Sequence, residues 1–233
     1  MFKQWFDTES STFTYLIVDE LTKDAVIIDP VERYLDSYIK SLSTLKVNLK
    51  YALETHVHAD HITASGKLRQ KLGIKTAVGQ MCGAESADIQ LNDGDIIEFG
   101  NEVVDVIATP GHTAGSVSYL WRDRVFTGDA LLINGCGRTD FQSGDAGVLY
   151  DSITQKLFTL PDETLVYPGH DYQGRYVSCV AQEKNINSRL ANKTREEFIA
   201  IMQALNLPKP KMIDLAVPAN RKCGIDEDDV LQG

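Results

Sequence analysis

The 233 residues contain no apolar run near the length of about 20 that a bilayer-crossing helix needs. The start, MFKQWFDTESS, has no basic stretch leading into an apolar core, so it does not read as a signal peptide. Asp7 and Glu9 in the same stretch argue against a transit peptide. Cysteine is scarce: Cys82, Cys136, Cys179 and Cys223 form no C-x-x-C pair and no disulfide framework, which fits reduced thiols in a reducing compartment. The expected location is the cytoplasm, or the mitochondrial matrix had a eukaryotic presequence been removed. Positive charge is also short, with 23 Lys and Arg against 33 Asp and Glu and a net charge of -10. That balance argues against nucleic acid and anionic membrane as partners. A small anionic substrate remains compatible if Lys and Arg gather locally. Repeats and low-complexity linkers are absent.

What is present is an ordinary globular composition, 43% hydrophobic and 24% charged. One domain over residues 1–233 is expected. TYLIVD and DAVIIDP read as a hairpin, and LKYALET as a buried strand running into a histidine cluster. KTAV, DIIEF, VVDVIAT, SVSYLW, RVFTG and TLVYPG are further strands. Helices are expected in VERYLDSYIKSLSTL, with Val31, Tyr34, Leu35, Tyr38, Ile39 and Leu42 on one face, and in ITASGKLRQKLG, stopped by Gly73. GVLYDSITQKLFTL and SCVAQEKNINSRL are also helical, and Thr194 and Glu197 have capping-box spacing before FIAIMQAL. The tail LPKPKMIDLAVPAN reads as irregular. This order gives a mixed α/β (α+β) chain with too many consecutive strands for one doubly wound sheet; two sheets with helices outside would house it.

Histidine is rare but concentrated. Three of five lie in THVHADH as His56, His58 and His61, with Asp60 between them. His112 is in TPGHTAGS, His170 in YPGHDY and Asp129 in FTGDALL. Each segment follows a strand, where loops on a rigid scaffold carry chemistry. Imidazole and carboxylate suit zinc, iron or manganese, and the absence of cysteine from the cluster argues against a closed structural zinc site. His56 and His58, two apart, point the same way in extended chain. Spacing alone therefore yields seven candidate ligands and favours two metals.

H-x-H-x-D-H, followed by distant Gly-His, Gly-Asp and Gly-His turns, resembles the metallo-β-lactamase superfamily. The resemblance implies an αββα sandwich, two mixed β-sheets flanked by helices, with the metal site at one edge. GCGRTDFQ, from Gly135 to Gln142, is similar to the persulfide dioxygenase (ETHE1-like) family, where glyoxalase II would carry FFEG after GCGR. The N-terminal TFTYL…DAVIIDPV, YPGHDYQG and LNLPKPKMIDLAVPAN resemble the same family.

That resemblance implies one Fe(II) per chain, held by His56, His112 and Asp129, with His58, Asp60, His61 and His170 around them as supporting residues. It implies oxidation of glutathione persulfide by O2 and water to sulfite and glutathione, a homodimer, and a separate sulfurtransferase (rhodanese) or sulfide:quinone oxidoreductase in the same pathway.

Binding an anionic substrate needs a local cation; Arg138, Arg175, Lys184 and Arg189 are the candidates. The resemblance points to Tyr172 and Arg189 as glutathione contacts, and Arg138 lies in the family motif, with an ion pair to Asp140 as its favoured role. Cys136 and Cys223 are expected to be small buried residues. The competing reading is a glyoxalase II-type hydroxyacylglutathione hydrolase with two metals. A non-catalytic metal- or thiol-binding module is disfavoured by the open, cysteine-free ligand set.

Overall fold

Strand β2 (Thr12–Val18) is buried along its whole length, as a β-branched and aromatic run must be when both faces of a sheet are covered. A computed structural model describes residues 1–225, so positions 226–233 of the expected domain lie outside the described residues. β2 joins β1 (Phe2–Asp7), β3 (Asp24–Ile28), β4 (Asn48–Leu53), β5 (Lys75–Gly79) and β6 (Ile89–Leu91) in one sheet, ordered as in the chain. The first three strands are antiparallel and β3 to β6 parallel. The second sheet holds β7 (Ile96–Phe99), β8 (Glu102–Ala108), β9 (Val117–Trp121), β10 (Arg124–Gly128), β11 (Leu165–Pro168) and β12 (Ser178–Cys179). There only β10 and β11 are parallel.

Parallel neighbours need crossovers, and α-helices supply them everywhere but between β5 and β6, where a short 3-10 turn at Gln80–Cys82 and a loop serve. α1 (Leu35–Leu45) joins β3 to β4, α2 (Ser65–Leu72) joins β4 to β5, and α3 (Ala146–Gln155) joins β10 to β11. α4 (Val180–Ile186), α5 (Arg195–Gln203) and α6 (Ile213–Arg221) follow. Tyr15, Ile17, Val26, Ile28 and Leu53 from the first sheet meet Phe99, Val106, Tyr119, Trp121 and Phe126 from the second. α1 and α2 cover the outer face of the first sheet through Tyr38, Leu42 and Leu68, and α3 and α5 cover that of the second through Leu149, Ile153 and Phe198. This is the expected αββα sandwich.

The expected helix stop at Gly73 is present, with φ +67°. So is the α5 capping box, with Thr194 accepting from the Glu197 N–H and Glu197 returning to the Thr194 N–H. Four elements differ from expectation; one is β12, whose Ser178 and Cys179 were expected to open a helix that instead starts at Val180. β1 was not foreseen, yet it alternates cleanly: Phe2 and Phe6 pack inward on Tyr167 and Phe13 while Trp5 packs outward on Tyr38. β6 is three residues of edge strand, too short to give a period. The C-terminal tail is irregular only as far as Met212: α6 then forms despite Pro218 at its sixth position, which removes one helical hydrogen bond. Buried Asn220 in that helix donates from Nδ2 to the carbonyls of His58 at 2.9 Å and His61 at 2.8 Å, and accepts from the Thr63 N–H at 2.9 Å. Tertiary docking thus outweighs a poor local helix sequence.

Candidate metal centre

The seven residues singled out above lie together, at the ends of strands from both sheets. His56, His58, Asp60 and His61 follow β4, Asp129 follows β10, His170 follows β11, and His112 lies on the turn between β8 and β9. The sheets close tightly here. Gly128 has φ +49°, and a Cβ on it would lie 2.6 Å from the Cβ of Thr55, so a side chain there would push the β4 loop away from Asp129.

His56, His112 and Asp129 each offer a ligand atom, and the three atoms lie within 4.8 Å of one another. Hydrogen bonds fix which ring atom each histidine offers. The Thr55 hydroxyl donates to Asp29 Oδ2 at 2.8 Å, so its oxygen accepts from His56 Nδ1 at 3.0 Å. His56 Nε2 therefore keeps its lone pair. His112 Nδ1 donates to the Arg138 carbonyl at 2.6 Å, which frees His112 Nε2, 3.6 Å from Asp129 Oδ2. Such outer partners orient imidazole ligands and fix their tautomer. Burial, then repulsion from His58 and His112, holds the His56 pKa well below its ordinary value, so it is a neutral imidazole ready to bind.

The other four sequence candidates surround this trio. His170 Nδ1 donates to the carbonyls of Ser10 and Ser11 at 3.2 Å, leaving Nε2 3.5 Å from Asp129 and 3.7 Å from Asp60. Burial opposes charge on His170, but Asp129 and Asp60 outweigh it and raise its pKa. Asp60 accepts from Thr12 Oγ1 at 3.0 Å and from His61 Nδ1 at 2.9 Å. Burial works against its carboxylate, yet His61 and His170 hold its pKa well below the carboxylate range. His58, Asp60 and His170 form a second group with metal-ligand spacing.

A third such group was not visible in the sequence: His58 Nε2 lies 3.2 Å from Asp29 and 3.2 Å from Glu54, all three buried. Burial alone would lower the His58 pKa, but the Asp29 and Glu54 carboxylates raise it well above the usual histidine value. Asp29 stands at a strand end like Asp129, which is the signal that could have found it. Glu54 also accepts from the buried Thr63 hydroxyl.

The site's chemistry fits a metal ion. Among the described residues, five buried side-chain atoms lack a hydrogen bond, and all belong to this cluster: Glu54 Oε2 and His58 Nε2, which face each other at 3.2 Å as an ion pair, and His58 Nδ1, His61 Nε2 and Asp129 Oδ1. Buried polar atoms are normally paired, so a concentration of orphans marks a place where something polar or cationic binds. No thiolate competes. Cys136 is nearby, but burial pushes its thiol up to about 11, and it packs on Met202. Cys223 is likewise buried.

A cavity of about 850 Å³ opens from the trio. Tyr172, Arg138, Arg175 and Arg189 line it, whereas Lys184 does not and instead pairs with Asp162. Arg138 grips both oxygens of Asp140, at 2.6 and 2.7 Å, as its structural role requires, and also donates to the Pro208 carbonyl. Arg175 is bound to Asp171. Among the described residues Arg189 has no carboxylate partner; it donates to the Cys136 carbonyl at 2.6 Å, leaving other guanidinium N–H groups for a ligand. Tyr172 stacks parallel on His170, with ring centroids 6.0 Å apart, and is largely exposed. Lys211 also lines the cavity and went unnoticed in the sequence, since it lies in the tail read as irregular.

Comparison with known proteins agrees with this geometry. Residues 7–170 match the metallo-β-lactamase superfamily. A hydroxyacylglutathione hydrolase of Arabidopsis thaliana is 32% identical over 78% of this chain and 72% of its own. Similarity is higher to the mitochondrial persulfide dioxygenase ETHE1 of Homo sapiens, 49% identical over 97% of this chain and 89% of that protein. The crystal structure of ETHE1 from Myxococcus xanthus superposes with a TM-score of 0.95 at 58% identity, covering 97% of this chain and all of that one. Fold, ligand-bearing turns and end-to-end identity agree, and the chain belongs to the metallo-β-lactamase superfamily and, within it, to the persulfide dioxygenase family.

Proposed function

We propose that this protein is a glutathione persulfide dioxygenase, with one ferrous ion held by His56, His112 and Asp129. The observation that carries the reading is a trio of two imidazoles and one carboxylate, aligned from behind and opening on a cavity. Two histidines and one carboxylate with open positions are the ligand set of non-haem ferrous oxygenases. When bound, the iron supplies adjacent sites for sulfur and dioxygen and a path for electrons between them.

In the overall reaction the terminal persulfide sulfur gains two oxygen atoms from O2 and one from water. The sulfur–sulfur bond breaks, glutathione leaves as the thiol, and two protons are released with sulfite. The chain's own residues prepare this. Asp29 and Thr55 hold His56, and the Arg138 carbonyl holds His112. His58 is engaged by Asp29 and Glu54, and Asp60 by Thr12 and His61, so these groups support the ligands without joining them. Arg189 offers a fork of donors to a glutathione carboxylate, and Tyr172 lines the same cavity. Arg138 and Arg175, already neutralised by Asp140 and Asp171, shape the wall.

The runner-up is thioester hydrolysis at two metals, favoured only by the second group of His58, Asp60 and His170. The reading extends to a homodimer, to a separate sulfurtransferase or sulfide:quinone oxidoreductase that forms the persulfide, and to a cytoplasmic or mitochondrial-matrix location. Among the described residues no helix is long and apolar enough to cross a membrane.

An oxygen electrode with anaerobically loaded protein tests the proposal. Oxygen uptake with glutathione persulfide at about one iron per chain is expected, and His112→Ala should lose iron and uptake together. Two metals per chain, with hydrolysis of a glutathione thioester and no oxygen uptake, would establish the hydrolase instead.

A further inference from the structure

Gln142 closes the TDFQ segment, and its side chain leaves the segment altogether. Its Nε2 donates to the Val57 carbonyl at 2.7 Å, across 85 residues of sequence. Val57 is the residue between His56 and His58. The carbonyl of Gln142 in turn accepts from the Ala114 N–H at 3.4 Å, two residues beyond His112. One residue thus bridges the two turns that carry the candidate histidine ligands.

The backbone is strained to allow this. Gln142 and Ser143 both lie in the left-handed region, with φ +48° and +58°, and neither is glycine. Each such residue costs free energy that must be returned elsewhere, and strain of this kind gathers at functional sites. The turn itself is closed by the Gly144 N–H donating to Phe141 at 2.8 Å, a bond that would survive with glycine at 142. What glycine could not supply is the amide that reaches Val57.

We propose that Gln142 is a positioning residue for the metal ligands. The Val57 carbonyl belongs to the peptide that leads into His58, so its direction sets where the His58 side chain starts. Held by Gln142, that peptide keeps His58 against Asp29 and Glu54 and leaves His56 to face His112, whose ring lies 4.8 Å away at 89°. The strap at Ala114 fixes the His112 turn from the same point. TDFQ then marks the family for a physical reason: it ends in a side chain that aligns H-x-H. This inference rests on His56 and His112 being metal ligands.

The test uses the metal-stripped full chain, titrated with Mn2+ as an air-stable probe, for the wild type, Gln142→Gly and Gln142→Glu. Glycine accepts φ +48° without strain, so the lost hydrogen bond is offset and the metal-free melting temperature should stay within a few degrees. Mn2+ affinity should nevertheless fall about 10-fold in Gln142→Gly, as expected for losing a partner that aligns a ligand. It should fall further in Gln142→Glu, where a carboxylate faces the carbonyl. Unchanged affinity in Gln142→Glu would overturn the proposal. So would affinity and metal-free melting temperature falling in step in both variants, because Gln142 would then only hold its turn. Wild-type affinity in His56→Ala would instead remove the ligand assignment beneath it.

Discussion

Replacing Thr55 with valine removes one oxygen and keeps the side chain's shape. Valine fits beside Gly128, because the atoms near that glycine keep their positions. Two contacts vanish: the hydroxyl's bond to Asp29 at 2.8 Å and its acceptance from His56 Nδ1 at 3.0 Å. The backbone N–H of residue 55 still reaches Asp29 at 2.7 Å, so the carboxylate is not abandoned. A hydrogen bond to a charged group contributes about 1.5–3 kcal/mol, and an unpaired buried N–H costs about 1–3 kcal/mol. The two share one hydroxyl and do not add fully, so a loss of about 3 kcal/mol is expected. For a chain of this size each kcal/mol moves the melting temperature by about 2–4 °C, giving a fall of about 6–12 °C in the metal-free protein. The second consequence is more specific. With no acceptor at Nδ1, His56 is no longer held as the tautomer that presents Nε2, and metal affinity should fall about 10- to 100-fold. Differential scanning fluorimetry measures the first effect and competition with a chelator the second. A protein that melts lower but binds metal within twofold of wild type would show that Thr55 braces the loop without orienting His56.

Three further predictions concern the cavity wall. Cys136→Ser should keep most of the turnover, because burial holds this thiol protonated, up to about 11, and away from nucleophilic work; near-complete loss of oxygen uptake with normal iron content would contradict that. Arg189→Gln should raise KM for glutathione persulfide about 10-fold with little change in kcat, as expected for a carboxylate contact made equally before and during reaction; an equal effect on a persulfide lacking carboxylates would remove the assignment. Asp171→Asn should destabilise the protein by about 2 kcal/mol at pH 7, since Arg175 and the Gln173 and Arg175 N–H groups all converge on that carboxylate. Burial opposes the Asp171 charge, but these donors lower its folded pKa, so the stabilisation is present above its unfolded value near 3.8 and lost as pH falls through the lower folded value. Urea midpoints of the two proteins should therefore converge in acid; a constant gap would point to packing instead.

Much of the site was legible because its ligands announce themselves locally. H-x-H-x-D-H and the Gly-His and Gly-Asp turns are short patterns at strand ends, and the sandwich brings them together as those positions implied. Asp29, Glu54 and Gln142 were not legible in the same way. Their roles are contacts made across the fold, 26 residues from Asp29 to Thr55 and 85 from Gln142 to Val57; the strand-end position of Asp29 marks a candidate, but no local pattern names the partner it reaches. Glu54 even lies next to the motif, but nothing in LETHVH says that its carboxylate turns back on His58. β1 shows a different limit. Its alternation was readable, but five of its six residues are only partly buried and the polar ones diluted the pattern. α6 shows the converse, a helix whose own sequence argues against it and which exists because Asn220 has three backbone partners.

That last contact has a consequence for the order in which the protein matures. Asn220 ties down the carbonyls of His58 and His61 from 162 and 159 positions away. On the ribosome, the histidine loop is made early and waits unbraced while both sheets are laid down. It gains its final support only when helix α6 emerges and docks. A nascent chain stalled before α6 would carry every candidate ligand and still lack the brace that Asn220 gives their loop.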